Sequence, residues 1–196
     1  MLSIWYVHGA GASSRSFVWL RDQLPEHKAI MFDYSLDESL VQCIARLSKD
    51  ISASPKPGIV IGHSLGGLIA AGVAGQYNVD GVVTMCAPLG GLSSATLMTM
   101  MRTDQLFKDI MPYNPMLRTI RNGLVASGKR HLPIIATSGL PYTSLPNDGV
   151  VSLDSQMAID GLTYHSFPVN HYEVLLTKEV AETISDFIHT PIWSET

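Results

Sequence analysis

The chain has 196 residues, 46% of them apolar and 15% charged, with a formal net charge of −4. That length and apolar content suffice for one domain with a substantial core and exclude a disordered chain. No basic block offers an electrostatic footprint for nucleic acid. The two cysteines, Cys43 and Cys86, exclude a disulfide scaffold and a cysteine-rich zinc module.

The chain opens Met-Leu-Ser-Ile-Trp-Tyr-Val and turns at His8-Gly9. This reads as a strand and not as the positive-then-apolar order of a secretory signal, so a cytoplasmic protein is expected. Strand-type apolar runs fall at residues 3–7, 29–32, 58–61, 81–86, 132–137 and 162–169. Four of them are near-continuously apolar, as in parallel strands covered on both faces. Helical patterns lie between them. Leu36, Leu40, Ile44, Leu47 and Ile51 mark one helical face, with Ser35 and Glu38 placed as a capping box. Residues 57–79 and 81–101 are uncharged and long enough for membrane spans. Their internal glycines and prolines fit a buried strand, a turn and a helix instead. Further on, Asn114-Pro115 is a cap with proline at the first helical position. Leu117, Ile120 and Leu124 follow at helical spacing, and Gly128 is a natural stop. The last helix carries Val180, Ile184, Phe187 and Ile188, with Pro191 beyond its end.

Strand–helix alternation implies an α/β fold: about six mainly parallel strands with helices on both faces, in a single domain over residues 1–196. Residues 89–130 break the rhythm, because one crossover helix needs far fewer. They are helical in pattern and rich in apolar side chains, among them Met98, Met100, Met101, Met111 and Met116. A helical cap insertion is expected there, with inward methionines facing a substrate; plain core filling is the alternative.

The chemistry concentrates in a few places. Gly62-His63-Ser64-Leu65-Gly66 is a G-x-S-x-G pentapeptide between an apolar strand and a helix-compatible run. A sharp strand-to-helix turn presents such a serine at the sheet's carboxyl end, and only small residues two before and two after it avoid collision. The bland alternative is a glycine-rich turn closing a βα unit. An acyl-transfer serine needs an oxyanion hole. The amide of Leu65, directly after the serine, is one expected donor. The amide of Ala10, in His8-Gly9-Ala10-Gly11 after the first strand, is the other. A serine hydroxyl also needs a histidine to take its proton and a carboxylate to orient that histidine. His171, after the last strand run, is expected as the base, and Asp148, after the fifth run, as the acid; for Asp148 a simple Asp-Gly turn is the alternative. His8 and His63 are expected as structural neighbours. His165 falls within a strand, and His27, His131 and His189 on the wrong edge or at an end. Asp33 and Asp80 are expected as solvated turn residues. Cys86 reads as a small buried hydrophobe. There is no H-E-x-x-H, no paired Cys or His metal spacing and no phosphate loop, so no metal and no organic cofactor is expected.

Taken together, His8-Gly9, then Gly62-His63-Ser64-Leu65-Gly66-Gly67, then Asn147-Asp148-Gly149-Val150-Val151, then His171 resemble the α/β-hydrolase superfamily. Within it the chain is similar to the small lipase and esterase branch, including relatives of GPI-inositol deacylases. Ala87-Pro88-Leu89-Gly90-Gly91 and Asn114-Pro115-Met116-Leu117-Arg118 are looser echoes. The resemblance implies a minimal α/β-hydrolase fold and a serine hydrolase that cleaves a carboxylic ester through an acyl-enzyme. The expected partner is a small-molecule ester with an apolar acyl group. A thioesterase or acyltransferase with the same triad, or a catalytically silent binding protein of this fold, are the alternatives.

Overall fold

The computed structural model describes residues 2–93, 104–139 and 146–190. Six strands form one all-parallel sheet in the order β2-β1-β3-β4-β5-β6. They are β1 (Ser3–Val7), β2 (Lys28–Phe32), β3 (Gly58–His63), β4 (Val79–Met85), β5 (Arg130–Ala136) and β6 (His165–Phe167). Alternation along the strands sends Ile4, Tyr6, Ile59, Ile61, Val83 and Met85 into one apolar layer. Trp5, Val7, Val60 and Val82 enter the other.

Helices close both layers. On the first face lie α1 (Val18–Asp22) and the C-terminal α7 (Lys178–His189), which buries Val180, Ala181, Ile184 and Ile188. On the second lie α2 (Leu40–Ser52), α3 (Leu65–Gly72), α4 (Gln105–Asp109) and α5 (Pro115–Ala126). The stripe of α2 is Leu40, Cys43, Leu47 and Ile51, all fully buried. Each buried leucine or isoleucine there contributes about 2 kcal/mol. Between β5 and β6 sits one further turn of helix, α6 (Leu153–Gln156).

The chain leaves β1 over the first face toward β2, then returns over the second face to β3, on the other side of β1. The connections after β1 and β3 therefore diverge, and a crevice opens at the carboxyl ends of these two neighbouring strands. In open α/β sheets this is where ligands bind.

Several boundaries differ from the expected ones. Strand β3 runs through His63 to the residue before Ser64. Strand β4 starts at Val79, across a register irregularity at Gly58 and Ile59, so Asp80 lies inside the strand and not in a turn. At the sheet edge, β6 shrinks to three residues. Helix α2 starts at Leu40, and its capping box is Ser39 with Gln42: the Ser39 hydroxyl accepts from the Gln42 amide, and the Gln42 side chain accepts from the Ser39 amide. Ser35 and Glu38 form a separate turn before it, with the Ser35 amide donating to Glu38 Oε1 at 2.8 Å. Asn114 caps α5 as expected, accepting from the Met116 amide at 2.9 Å. The uncharged stretch 57–79 holds β3 and α3, and no helix among the described residues is long and apolar enough to cross a membrane.

His131, at the amino end of β5, shares a 2.9 Å hydrogen bond with Thr84 Oγ1, while its Nδ1 is buried without a partner. Burial pushes its pKa down to about 4. The folded state therefore binds the proton less readily than the unfolded chain. Its stability contribution is complete above the unfolded value near 6.5 and declines as pH falls from there toward 4, by up to about 1.4 kcal/mol per pH unit. Urea denaturation between pH 7 and 4.5 is expected to show a shallower pH dependence in His131→Gln than in the unsubstituted protein. Equal slopes would contradict this account.

Candidate active site

The turn from β3 into α3 puts Ser64 at φ 55° and ψ −124°. A non-glycine residue held there stores on the order of 1–3 kcal/mol. The surrounding backbone enforces it. A Cβ at Gly62 would overlap the Gly66 carbonyl, and one at Gly66 would overlap the carbonyl oxygens of Val7 and His8. Both glycines are required by this close approach, as the pentapeptide spacing implies. Leu65 is the first residue of α3, where a backbone N–H has no intrahelical acceptor. The helix amino terminus adds a partial positive charge behind Ser64.

Ser64 lines a cavity of about 280 Å³, together with Gly9, Ala10, His63, Leu65 and His171. Ala10 thus reaches the cavity from the loop after β1. That loop is held by contacts not evident in chain order. Tyr34 stacks on the His8 ring at 4.4 Å and donates its hydroxyl proton to the His8 carbonyl at 2.8 Å. Asp33 lies 3.3 Å from His8 Nε2 and accepts from the Ser14 amide at 2.8 Å. Asp33 is solvent-exposed, as expected for a turn residue, but it also buttresses this loop. The only signal in the sequence is that residues 33 and 34 follow the strand that turns out to flank β1.

Asp148 is fully buried. Its Oδ1 accepts from the amides of Val150 and Val151 at 2.8 and 2.7 Å, and its Oδ2 lies 2.6 Å from His171 Nδ1. The His171 amide donates to the Asp148 carbonyl oxygen at 2.8 Å. The Asp-Gly turn and the carboxylate partner are therefore one arrangement: the turn at Gly149 points two amides at the acid that holds His171. Asp154 and Asp160 are exposed and take no part.

Cys86 follows β4 with φ 51° and is buried. Burial and the neighbouring Asp148 carboxylate push the thiol pKa well up. It stays protonated beside Asp148 and is a small core residue. His63 is buried, its ring 4.7 Å from that of His171, and its Nε2 donates to the His171 carbonyl at 2.7 Å. Burial, and then the neighbouring His171, lower its pKa to about 3. Donor atoms of His63, Cys86 and His171 lie within 4.8 Å of one another. They are a poor metal set, because a metal needs a thiolate here, and burial beside the Asp148 carboxylate keeps the Cys86 thiol protonated.

Leu92, Phe107 and Ile110, all from the segment between β4 and β5, form one wall of the cavity. Val150, Tyr172 and Leu175 form another. Met85, Met111 and Met116 do not line it, and Met98, Met100 and Met101 lie outside the described residues. The arrangement offers a hydroxyl and a carboxylate-paired imidazole beside a largely apolar hollow.

Comparison with solved structures gives the same architecture. Phospholipase PlaB from Legionella pneumophila superposes with a TM-score of 0.77 at 10% identity, over 97% of this chain and 60% of that one. The chain spans 44% of PlaB in its complex with thio-NAD. Bacillus licheniformis lipase BlEst2 gives 0.70 at 14%, over 95% and 90%. A lipase-esterase related protein from Clostridium acetobutylicum gives 0.66 at 19%, over 95% and 94%. No curated protein matches the chain. Residues 6–170 match the alpha/beta hydrolase family, and with this fold around its strand-to-helix serine the chain belongs to that family.

Proposed function

We propose that the protein is a serine hydrolase that cleaves a carboxylic ester through an acyl-enzyme. The observation that carries this reading is Ser64, held at a left-handed φ on a cavity that also takes in His171, whose other side is paired with the buried Asp148. Ser64 Oγ attacks the acyl carbon while His171 takes the hydroxyl proton, and Asp148 stabilises the resulting imidazolium. The amides of Ala10 and Leu65 stabilise the oxyanion. The intermediate collapses as the leaving alcohol takes the proton from His171. Water then attacks the acyl carbon, giving up a proton to His171. The carboxylic acid leaves as that proton returns to Ser64. No step calls for a metal or an organic cofactor.

The segment 89–130 acts as the cap in this reading, with Leu92, Phe107 and Ile110 as its contact surface for an apolar acyl group. The substrate is a small-molecule ester, and the walls named above offer it no counter-charge.

A p-nitrophenyl ester series of increasing chain length tests the reaction. Ser64→Ala is expected to lower kcat by roughly 10⁴ or more with an unchanged melting temperature and no labelling by a fluorophosphonate. Full turnover in that variant would refute the assignment. If the unsubstituted protein neither turns over any ester nor takes the label, it is a binding protein of this fold.

Asp148→Asn is expected to lose activity by a factor on the order of 10⁴, because the amide donates where a carboxylate must accept and imposes the wrong imidazole tautomer. Exposed Asp154→Asn serves as the control and retains activity. The reverse pattern would mean a different acid.

Phe107→Ala and Ile110→Ala are expected to move the chain-length optimum, each lost methylene contact shifting selectivity by on the order of 1 kcal/mol. A melting temperature that falls with no change in preference across the series would make 89–130 a purely structural element.

A further inference from the structure

We infer that His63, the residue before the proposed nucleophile, is a positioning residue: its Nε2–H holds the His171 main chain in register with Ser64. This rests on the serine-hydrolase reading above and adds a residue to it.

Three hydrogen bonds fix His171. Its amide donates to the Asp148 carbonyl oxygen at 2.8 Å, and its Nδ1 pairs with Asp148 Oδ2 at 2.6 Å. Both of these come from a single residue, so they lock His171 to Asp148 without locking either to Ser64. The third differs. The His171 carbonyl accepts from His63 Nε2 at 2.7 Å, and His63 is the last residue of β3, one peptide from Ser64. Among the described residues this is the hydrogen bond that ties the base to the strand carrying the nucleophile. Without it the His171–Asp148 pair loses its hydrogen bond to that strand, and a displacement of about 1 Å between reacting groups costs on the order of 10²-fold in rate.

The surroundings of His63 fit this role. Strand alternation puts it on the face of Ile59 and Ile61, which anchors its backbone in the sheet. The His171 carbonyl would otherwise lose a partner in a buried place. On the opposite side the ring packs against the loop after β1: a side chain at Gly9 would meet His63 Nδ1 at 3.1 Å and Ser64 Cβ at 3.2 Å. One ring thus touches the base's main chain and borders the loop of the proposed oxyanion hole. The role also requires a neutral ring, since His171 becomes an imidazolium during the proposed reaction, 4.7 Å away. Burial supplies that neutrality by disfavouring the charged form. With Nε2 committed as a donor, the neutral tautomer carries its lone pair on Nδ1.

The test compares His63→Leu, which fills the space without a donor, with His63→Gln, whose amide nitrogen lies the same number of bonds from Cα as Nε2. In p-nitrophenyl ester turnover, His63→Leu is expected to lower kcat by about 10²-fold while KM changes by less than about threefold. The rate of fluorophosphonate labelling at Ser64 should fall in parallel. His63→Gln is expected to recover most of the loss. An unchanged kcat in folded His63→Leu, or a loss as large in His63→Gln, would overturn the inference. Should neither variant fold, NMR of the unsubstituted protein with ¹⁵N-labelled histidine decides. His63 is expected as the neutral Nε2–H tautomer at pH 5, with slow exchange of that proton; an Nδ1–H tautomer or a protonated ring would overturn the inference. Ser64→Ala, run alongside, separates the two levels. If it remains active the hydrolase reading falls, and with it this one. If it is dead while His63→Leu is fully active, only the role of His63 falls.

Discussion

The approach of α3 to β1 and β3 is the constraint on which the carboxyl edge of the sheet depends. Backbone packs against backbone there, with Gly66 against the Val7 and His8 carbonyls and Gly62 against Gly66. Backbone contacts of this kind do not relax by rotamer changes. Ser64 is consequently held at φ 55°, a strain of about 1–3 kcal/mol. Complete burial of Leu68 and Ile69 on α3, at about 2 kcal/mol each, is enough to offset it. The strained turn persists because the helix behind it is anchored in the core.

A second constraint arises from burying a carboxylate. An unpaired Asp148 at zero exposure would cost several kcal/mol in desolvation. Its own turn supplies two amides and His171 a third partner. The charge is then tolerated, and the direction of its last free lone pairs sets where His171 stands. Compensation of a buried charge and orientation of an imidazole are the same set of bonds. The layer behind the proposed triad, His63 and Cys86, is polar yet uncharged: burial drives His63 and the thiol toward their neutral forms. A second full charge beside the Asp148–His171 pair would compete with it at low dielectric.

Much of this was legible along the chain. Six apolar runs in alternation with helical stripes implied a parallel sheet, because strands covered on both faces must be continuously apolar and parallel neighbours need crossovers. The Gly62-x-Ser64-x-Gly66 spacing implied a close-packed turn, and the order of Ser64, Asp148 and His171 along the chain marked residues that the fold brings to one edge. Local capping was read less well. Ser35–Glu38 and Ser39–Gln42 both fit the pattern, and the start of α2 was decided by Asp109 on α4, which accepts from the Leu40 amide at 2.8 Å. Only the folded chain shows that contact between two helices on one face of the sheet.

Sequence by itself determined the class of fold and the strand-to-helix serine, which rest on local periodicity and on a steric rule spanning a few residues, and it offered candidates for acid and base by their places after the strand runs. Tertiary structure alone decided that Tyr34 and Asp33 brace the His8 loop, that Cys86 lies beside Asp148, that among the described residues Leu92, Phe107 and Ile110 line the cavity while Met85, Met111 and Met116 do not, and that His63 reaches the main chain of His171, 108 positions away. Such contacts depend on hydrogen-bond direction and on which strand lies beside which. Neither leaves a trace in the spacing of residues along a chain.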